Sequence, residues 1–557
     1  MKINSSIILI VIIGIIAIYL SRKTSPKKTI QECKWWNQRT RILLFILIFI
    51  VGIAVRVYQF GDIPNGIFRD EASIGYDTYS MLNYGIDHNG FHNPVILVGL
   101  GGGGGQDSIY AYFSMPFVAL LGLSSISIRL MNLIFGIITL VIFYLLVRET
   151  DDEKAALIAF FLIAINPWHI MISRWGLDCN IFPGLFVLAT LVLIYTNKKG
   201  LFLLLAMVIY GLALYSYGTS FFVIPTFVSI VTILFLIQKR INLKFFLLGI
   251  LILVLIATPA LLYVIINTFH LDSIQTSWIS IPRTTGPVRI SAITSLYSNE
   301  PFFSSTKRHV TDLVNLLIFQ NDGLIQNSVG GFGTIYLFSS PLLLLGLWVV
   351  VRDLINKSNP NNKYYPGIIF LIWLISSILL VFVIEININR MNIIFIPLLY
   401  LIARAIVFIF EQSRFLGGVI IALYIFWFAL FCHNYFIDYP QQVGSAFNES
   451  LDQAIDYASL NTTEPIYISR DIDLAYIYVL YNQKIDPNIF LKTVKYENPL
   501  KTIRYTASFG RFRMMNISSF PSDGGAFIID NNHLENVNIE KYQLVEYKYF
   551  SVLIPQK

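Results

Sequence analysis

Long apolar runs, each bounded by a short polar or basic stretch, set the rhythm of this chain. They fall near residues 5–20, 41–57, 126–147, 155–171, 181–196, 201–217, 219–238, 245–267, 333–351, 366–385, 391–410 and 416–436. Each approaches the ~20 residues that a helix needs to cross a bilayer. The pattern predicts a mainly α, polytopic membrane protein of about twelve transmembrane helices. Three polar stretches interrupt it: a first loop over 58–125, a long loop over 268–332, and everything after about 437. Inside the first loop, Ser108 to Leu121 is apolar and aromatic on a helical period and reads as an interfacial helix. In the last stretch, Ala446 to Leu460 has a helical pattern. Pro465 to Ser469, Ala526 to Asp530 and Tyr542 to Ile554 have strand-like composition, which predicts a small α/β domain. The organisation read from the pattern is an anchor with a basic segment (1–40), a membrane domain (41–436) and a terminal domain (437–557).

Composition sharpens this picture. With 55% hydrophobic and 13% charged residues among 557, the chain lies outside the ordinary soluble classes. Its net charge of +7 does not point to nucleic acid, because the cations lie in short clusters between the apolar runs. The first run has only Lys2 before it and Arg22, Lys23, Lys27, Lys28, Lys34, Arg39 and Arg41 after it, so it reads as an uncleaved anchor that starts outside. Alternating sides from there puts Arg148, Lys154, Lys198, Lys199, Lys239, Arg240, Lys244, Arg352, Lys357, Lys363 and Arg414 on the cytoplasmic face. The two large loops and the terminal domain then face outward, as expected of a multi-pass protein of the plasma membrane. Cys33, Cys179 and Cys432 are too scattered for a disulfide framework or a thiolate zinc site. No internal repeat is evident, which disfavours transporters built from two related halves.

Candidate chemistry collects in the outward loops. The stretch Phe68 to Asp77 sets the adjacent carboxylates Asp70 and Glu71 just beyond an apolar span, with Tyr76 and Asp77 following. Such a pair marks either chemistry at the membrane edge or an acidic helix start that favours the helix dipole. The loop continues through Asp87-His88, His92 and the run Gly99 to Gly105, then Gln106. Its glycines either let backbone amides approach a ligand or form a flexible connection. Asp178, close after Arg174, is a candidate for binding acceptor, donor or a cation. Arg390 sits in the short turn Glu385 to Arg390; with Arg174 and Arg129 it reads either as a clamp for a phosphate or as a headgroup contact or salt bridge, for instance Arg174 with Asp178. His92, His169 and His309 read as hydrogen-bonded structural histidines before metal ligands. No cofactor is assigned, and a divalent metal is left open with no ligand set. The long loop, with Trp278, Arg283, Tyr297 and Lys307-Arg308-His309, reads as a lid or acceptor platform, or as a segment packed on the terminal domain.

Several of these pieces, in this order, resemble one family. A membrane helix leads into Arg69-Asp70-Glu71-Ala72; aromatic sequence from Tyr110 to Pro116 follows, and Ser127-Ile128-Arg129-Leu130 opens the next span. Asn166-Pro167-Trp168-His169, Ser173-Arg174-Trp175 and Asn389-Arg390 stand at later outer ends. Over roughly 41–410 the chain resembles the GT-C superfamily of membrane glycosyltransferases, and within it the protein O-mannosyltransferases and aminoarabinose lipid A transferases. That resemblance implies the GT-C fold and an inverting transfer of a sugar from a polyprenyl-phosphate carrier to a protein, lipid or surface-glycan acceptor. It makes Asp70 the base, Glu71 and Asp178 positioning groups, and Arg390 the phosphate clamp. Tyr76, Asp77, His92 and Gln106 complete the expected substrate site, with Arg174 and Arg129 as secondary phosphate ligands. A flippase of lipid-linked glycan, or a polysaccharide polymerase or ligase, shares this topology; a structural scaffold would leave the clustered outer acids and arginines unexplained.

Overall fold

The computed structural model describes residues 37–102, 104–197, 199–285, 301–356, 367–498, 504–521, 524–536 and 542–556. The expected anchor at 5–20, the basic residues up to Lys34, Tyr297 and the cytoplasmic Lys198, Lys357 and Lys363 lie outside the described residues.

The chain enters through α1 (Gln38–Val57) and then leaves the bundle for two helices of the first loop, α2 (Arg69–Tyr84) and α3 (Ser108–Leu121). It returns in α4 (Ser125–Thr150), α5 (Glu153–Ala164), α6 (Pro167–Ile172), α7 (Phe182–Ile194), α8 (Leu201–Ala213), α9 (Ser220–Ile237) and α10 (Leu243–Thr268). The long loop carries a two-stranded hairpin, β1 (Ile274–Gln275) and β2 (Ser280–Ile281), and α11 (Phe302–Phe319). The bundle closes with α12 (Ser340–Ile355), α13 (Ile368–Ile378), α14 (Phe395–Gln412) and α15 (Arg414–His433).

Among the described residues, seven helical stretches are long and apolar enough to cross a membrane, and four apolar helices are shorter. These account for part of the expected set of about twelve, whose first run lies outside the described residues. The run 155–171, for example, is two helices, because the Asn166 side chain caps a new start at Pro167 by accepting from the His169 N–H at 2.9 Å. Proline suits that first-turn position, where its missing N–H would have no partner in the helix. A helix forms over Ser108–Leu121, as the helical period there predicts, with Tyr110 and Ala111 buried.

At its last turn α15 passes through a π-helical stretch, Asn434–Asp438, into α16 (Tyr439–Val443) and the terminal domain. There α17 (Leu451–Asn461), α18 (Ala475–Gln483) and α19 (Pro487–Thr493) accompany a seven-stranded sheet. Its strands are β3 (Ile466–Ser469), β4 (Lys495–Tyr496), β5 (Thr506–Phe509), β6 (Phe512–Met515), β7 (Ala526–Asp530), β8 (Tyr542–Glu546) and β9 (Phe550–Pro555), in the order β4-β5-β6-β3-β7-β9-β8. Central β3 runs parallel to β6 and β7, and the remaining pairs are antiparallel. The alternation in β3, with Ile466 and Ile468 fully buried, and the continuous burial of β7 mark the strands at the core.

The first loop, the long loop and the terminal domain meet at one end of the bundle. The Ile67 N–H donates to the Phe447 carbonyl, Val95 to Ser280, and Arg504 to Gly101. α18 packs along α2, and the Tyr76 hydroxyl donates to the Ile485 carbonyl at 2.5 Å.

Candidate active site

α2 begins where Glu71, at the third helical position, reaches back to accept the Phe68 N–H at 2.9 Å. It ends at Gly85, whose positive φ of 75° turns the chain as its N–H returns to the Met81 carbonyl. The carboxylates at its start have unlike surroundings. Glu71 is fully buried and accepts from Arg129 Nε at 2.8 Å, Arg129 Nη2 at 3.0 Å and the Gly176 N–H at 2.7 Å. Asp70 is half-buried and faces Tyr478 of α18, whose hydroxyl titration is pushed up by burial first and then by the Asp70 charge. Arg69 beside them pairs with Asp473 at the surface.

Two of the arginines expected on a phosphate are engaged otherwise. Beyond Glu71, Arg129 donates to the carbonyls of Gly61, Pro64 and Gly66 at 2.8–3.0 Å, and its side chain is 0% exposed. Arg174 donates to the carbonyls of Val55, Arg56, Tyr58, Gln59 and Ile63, with its guanidinium over Tyr435 and Phe436. It therefore caps carbonyls at the C-terminal end of α1, which have no partners within the helix, and others just beyond it. Arg390 is held in its own turn, where its N–H donates to Asn387 Oδ1 and its Nη1 to Glu385 Oε2 at 2.9 Å, with part of the side chain in contact with solvent. The long loop braces that turn, as Asp322 accepts the Ile388 N–H and Asn327 pairs with Asn389.

The remaining expected residues are distributed around the loop. Asp178 is buried and accepts from the N–H groups of Cys179 and, at 3.4 Å, Asp107, which ties the 173–181 segment to the start of α3. The Gln106 backbone pairs in both directions with Leu97, which closes the glycine run. Its side-chain Oε1 is a buried acceptor lacking a donor among the described residues. His92 is exposed and hydrogen-bonded to the Gly85 carbonyl, where it supports the end of α2. The buried His169 takes part in a hydrogen bond with Arg56, and His309 in one with the Val381 carbonyl.

A cluster not picked out from the sequence surrounds Asp77. Its Oδ1 accepts both the His88 N–H, at 2.8 Å, and His88 Nδ1, at 2.7 Å, while Asp87 Oδ1 accepts the N–H groups of Asn89 and Phe91. All three side chains are buried, and Asp77 Oδ2 and Asp87 Oδ2 have no donor among the described residues. Burial, then the Asp77 charge, pushes the Asp87 carboxyl up to about 7. Burial alone would lower His88, but Asp77, by charge and hydrogen bond, and Asp87 outweigh it and raise its pKa. The signal in the sequence was an acid and a histidine eleven positions apart across Gly85; only the turn there brings them together. Among the described residues no group of three or more histidine, cysteine, aspartate or glutamate side chains is arranged to hold a metal ion, so no ligand set is assigned.

A polar cavity of about 470 Å³ opens beside this region. Asp62, Asn65, Ser124, Glu449, Tyr478 and Asn482 are among its lining residues, so it lies where the first loop meets the terminal domain. The same Tyr478 neighbours Asp70.

Residues 108–264 match the family described as dolichyl-phosphate-mannose-protein mannosyltransferase. This mannosyltransferase match starts at α3 and ends within α10, inside the region whose motifs carried the resemblance. No curated protein matches the chain by sequence. Among solved structures, the Archaeoglobus fulgidus oligosaccharyltransferase in complex with zinc and sulfate aligns at 15% identity and a TM-score of 0.48, over 79% of this chain and 61% of that one. The chain thus spans about three fifths of the length of that relative. ArnT from Cupriavidus metallidurans bound to undecaprenyl phosphate aligns at 11% identity and a TM-score of 0.46, over 93% and 98%. The S. cerevisiae protein O-mannosyltransferase complex bound to its sugar donor aligns at 14% and 0.30, over 50% and 37%.

Proposed function

We propose that this protein is an inverting glycosyltransferase that moves a sugar from a polyprenyl-phosphate carrier to an acceptor on the extracytoplasmic face of the cell membrane. The observation that carries this reading is the division of labour within the acidic pair that precedes the matched mannosyltransferase segment. Glu71 spends its oxygens on Arg129, Gly176 and the α2 start, which makes it a positioning residue that fixes the first turn of α2. Asp70, on that same turn and half-buried beside the polar cavity's Tyr478, is the proposed base. As an acceptor hydroxyl attacks the anomeric carbon, Asp70 takes its proton, the new glycosidic bond forms, and the bond to the carrier phosphate breaks with inversion. The departing lipid phosphate carries negative charge, and Arg390 is the proposed group to receive it, because its side chain is neither buried nor saturated by carbonyls as those of Arg129 and Arg174 are.

The extracytoplasmic assignment is supported by the basic residues at the opposite bundle end, including Arg148, Lys199, Lys239 and Arg352. The test is transfer by purified protein in liposomes, using a panel of radiolabelled polyprenyl-phosphate sugars and measuring release of the carrier phosphate. Asp70→Asn should lower turnover by roughly 10²-fold or more, the usual contribution of a positioned base. Unchanged turnover would remove Asp70 and transfer attention to Asp77 or Asp178. Movement of intact lipid-linked glycan across the vesicle, without sugar transfer, would favour a flippase.

A further inference from the structure

The α11 helix has two apolar faces. One faces the protein: Ser305, His309, Leu313 and Leu316 are buried, with Gln320 just beyond the helix end. Their spacing of three and four keeps them on one stripe. The other faces outward, with Phe303 86% exposed and Val310, Val314 and Ile318 43–47% exposed. On a helical wheel these four fall within one 80° arc, with Lys307 inside it and Thr311 and Asn315 beyond its edge. A water-soluble surface rarely leaves such a patch uncovered.

The level at which the helix sits is set by its hydrogen bonds. Near its start, His309 Nδ1 is bonded to the carbonyl of Val381, at the end of the apolar segment Ile368–Phe382. At its finish, Gln320 Nε2 donates to the Tyr336 carbonyl and to Ser340 Oγ, the first residue of α12, and its Oε1 accepts the Ile335 N–H. The His309 and Gln320 contacts thus pin α11 to the ends of two apolar bundle helices, with ~16 Å of helix axis between them. Leu379 and Phe382, next to the Val381 contact, are themselves 40% and 42% exposed, so the outward face of α11 continues the lipid-facing surface of the bundle.

We infer that α11 lies in the membrane plane at the loop-bearing end, with Phe303, Val310, Val314 and Ile318 among lipid acyl chains and Lys307 at the headgroups. The occupant of this face is the bilayer itself: the face lies next to the exposed apolar Leu379 and Phe382 of the bundle, and the long side chain of Lys307 within it can carry its ammonium to lipid phosphate. The helix would anchor the long loop, and with it the Arg390 turn that Asp322 and Asn327 brace, at the membrane surface.

Nitroxide labels at Val310→Cys, Val314→Cys and Ile318→Cys, in full-length protein with Cys33→Ser and Cys432→Ser reconstituted in phosphatidylethanolamine and phosphatidylglycerol vesicles, test this; Cys179 is buried. Power saturation should show severalfold greater access to oxygen than to a water-soluble nickel chelate at these three sites, and the reverse at Thr311→Cys and Asn315→Cys. Equal nickel access at both sets would place the face in water and overturn the inference. Access by neither reagent would mean a protein partner or second copy covers the face, and would overturn it equally. Wild-type protein, labelled by a diazirine placed within a lipid acyl chain, gives a reading free of substitution: the tryptic peptide from His309 to Arg352 also holds α12, so its fragment ions should place label on residues 309–319, and the absence of label on those residues while other apolar helices are labelled would refute lipid contact.

Discussion

Glu71 and Arg129 meet with every strong donor and acceptor satisfied in a site from which water is excluded. Leaving either charge alone there is costlier than removing both, because the survivor keeps its desolvation penalty without compensation. Glu71→Ala should destabilise by about 3–5 kcal/mol, with a comparable loss for Arg129→Ala and a double variant that loses less than the sum. Thermal unfolding in detergent checks this; simple additivity would show that the two do not act as a pair. Asp87 offers a different residue-scale signature. Its folded carboxyl titrates near about 7, whereas an unfolded aspartate titrates near ~3.9, so the unfolded chain ionises first and stability falls as pH rises between the two. His88 has a raised folded pKa, so its stabilisation is present below the unfolded value of ~6.5 and is lost as pH rises through the folded one. Both slopes run the same way. Asp87→Asn keeps an oxygen for the Asn89 and Phe91 N–H groups, so wild type should lose stability relative to the variant as pH rises from about 4 to 7, by a few kcal/mol at most, seen as a falling Tm. Parallel curves would remove Asp87 as the titrating group.

At the scale of elements, the site depends on how α2 is approached and braced. Gly66 has a φ of 80°, and a Cβ there would stand 2.3 Å from the Phe447 carbonyl oxygen, which is backbone and has no rotamer to yield. The same stretch donates the Ile67 N–H to Phe447 and offers its Gly66 carbonyl to Arg129. Gly66→Ala combines left-handed strain with that clash and should cost more than the ~1 kcal/mol of an ordinary glycine replacement, seen as a lowered Tm and a terminal domain more readily cut by protease. A variant as stable as wild type would show that the 61–67 turn does not hold the terminal domain. The Asn166-Pro167 break acts similarly between α5 and α6: by starting a new helix it sets His169 against Arg56 and Ser173 against the same guanidinium. Packing of α18 along α2 supplies Tyr478 and Tyr481 to the helix that carries both carboxylates.

For the whole molecule, the sequence by itself determined the membrane character, the order of helices and loops, and the location of the acidic pair, because hydrophobic length and cation placement are local properties that a bilayer reads directly. It also located helix α3 and the stretches that became β3, β7, β8 and β9, since periodicity and β-branched composition are written in consecutive residues. Tertiary structure alone decided what each charge does. Glu71 and Arg129 lie 58 positions apart, and Arg174 reaches carbonyls 111–119 positions earlier. A buried guanidinium and a phosphate clamp are the same residue in sequence; they differ only in whether carbonyls from a distant turn have already taken the donors. The Asp77–His88 pair likewise required the reversal at Gly85, and the outward face of α11 could be recognised only once its other face had been packed. Desolvation and hydrogen-bond saturation are properties of what surrounds a group in space, so they became legible only when the chain was folded.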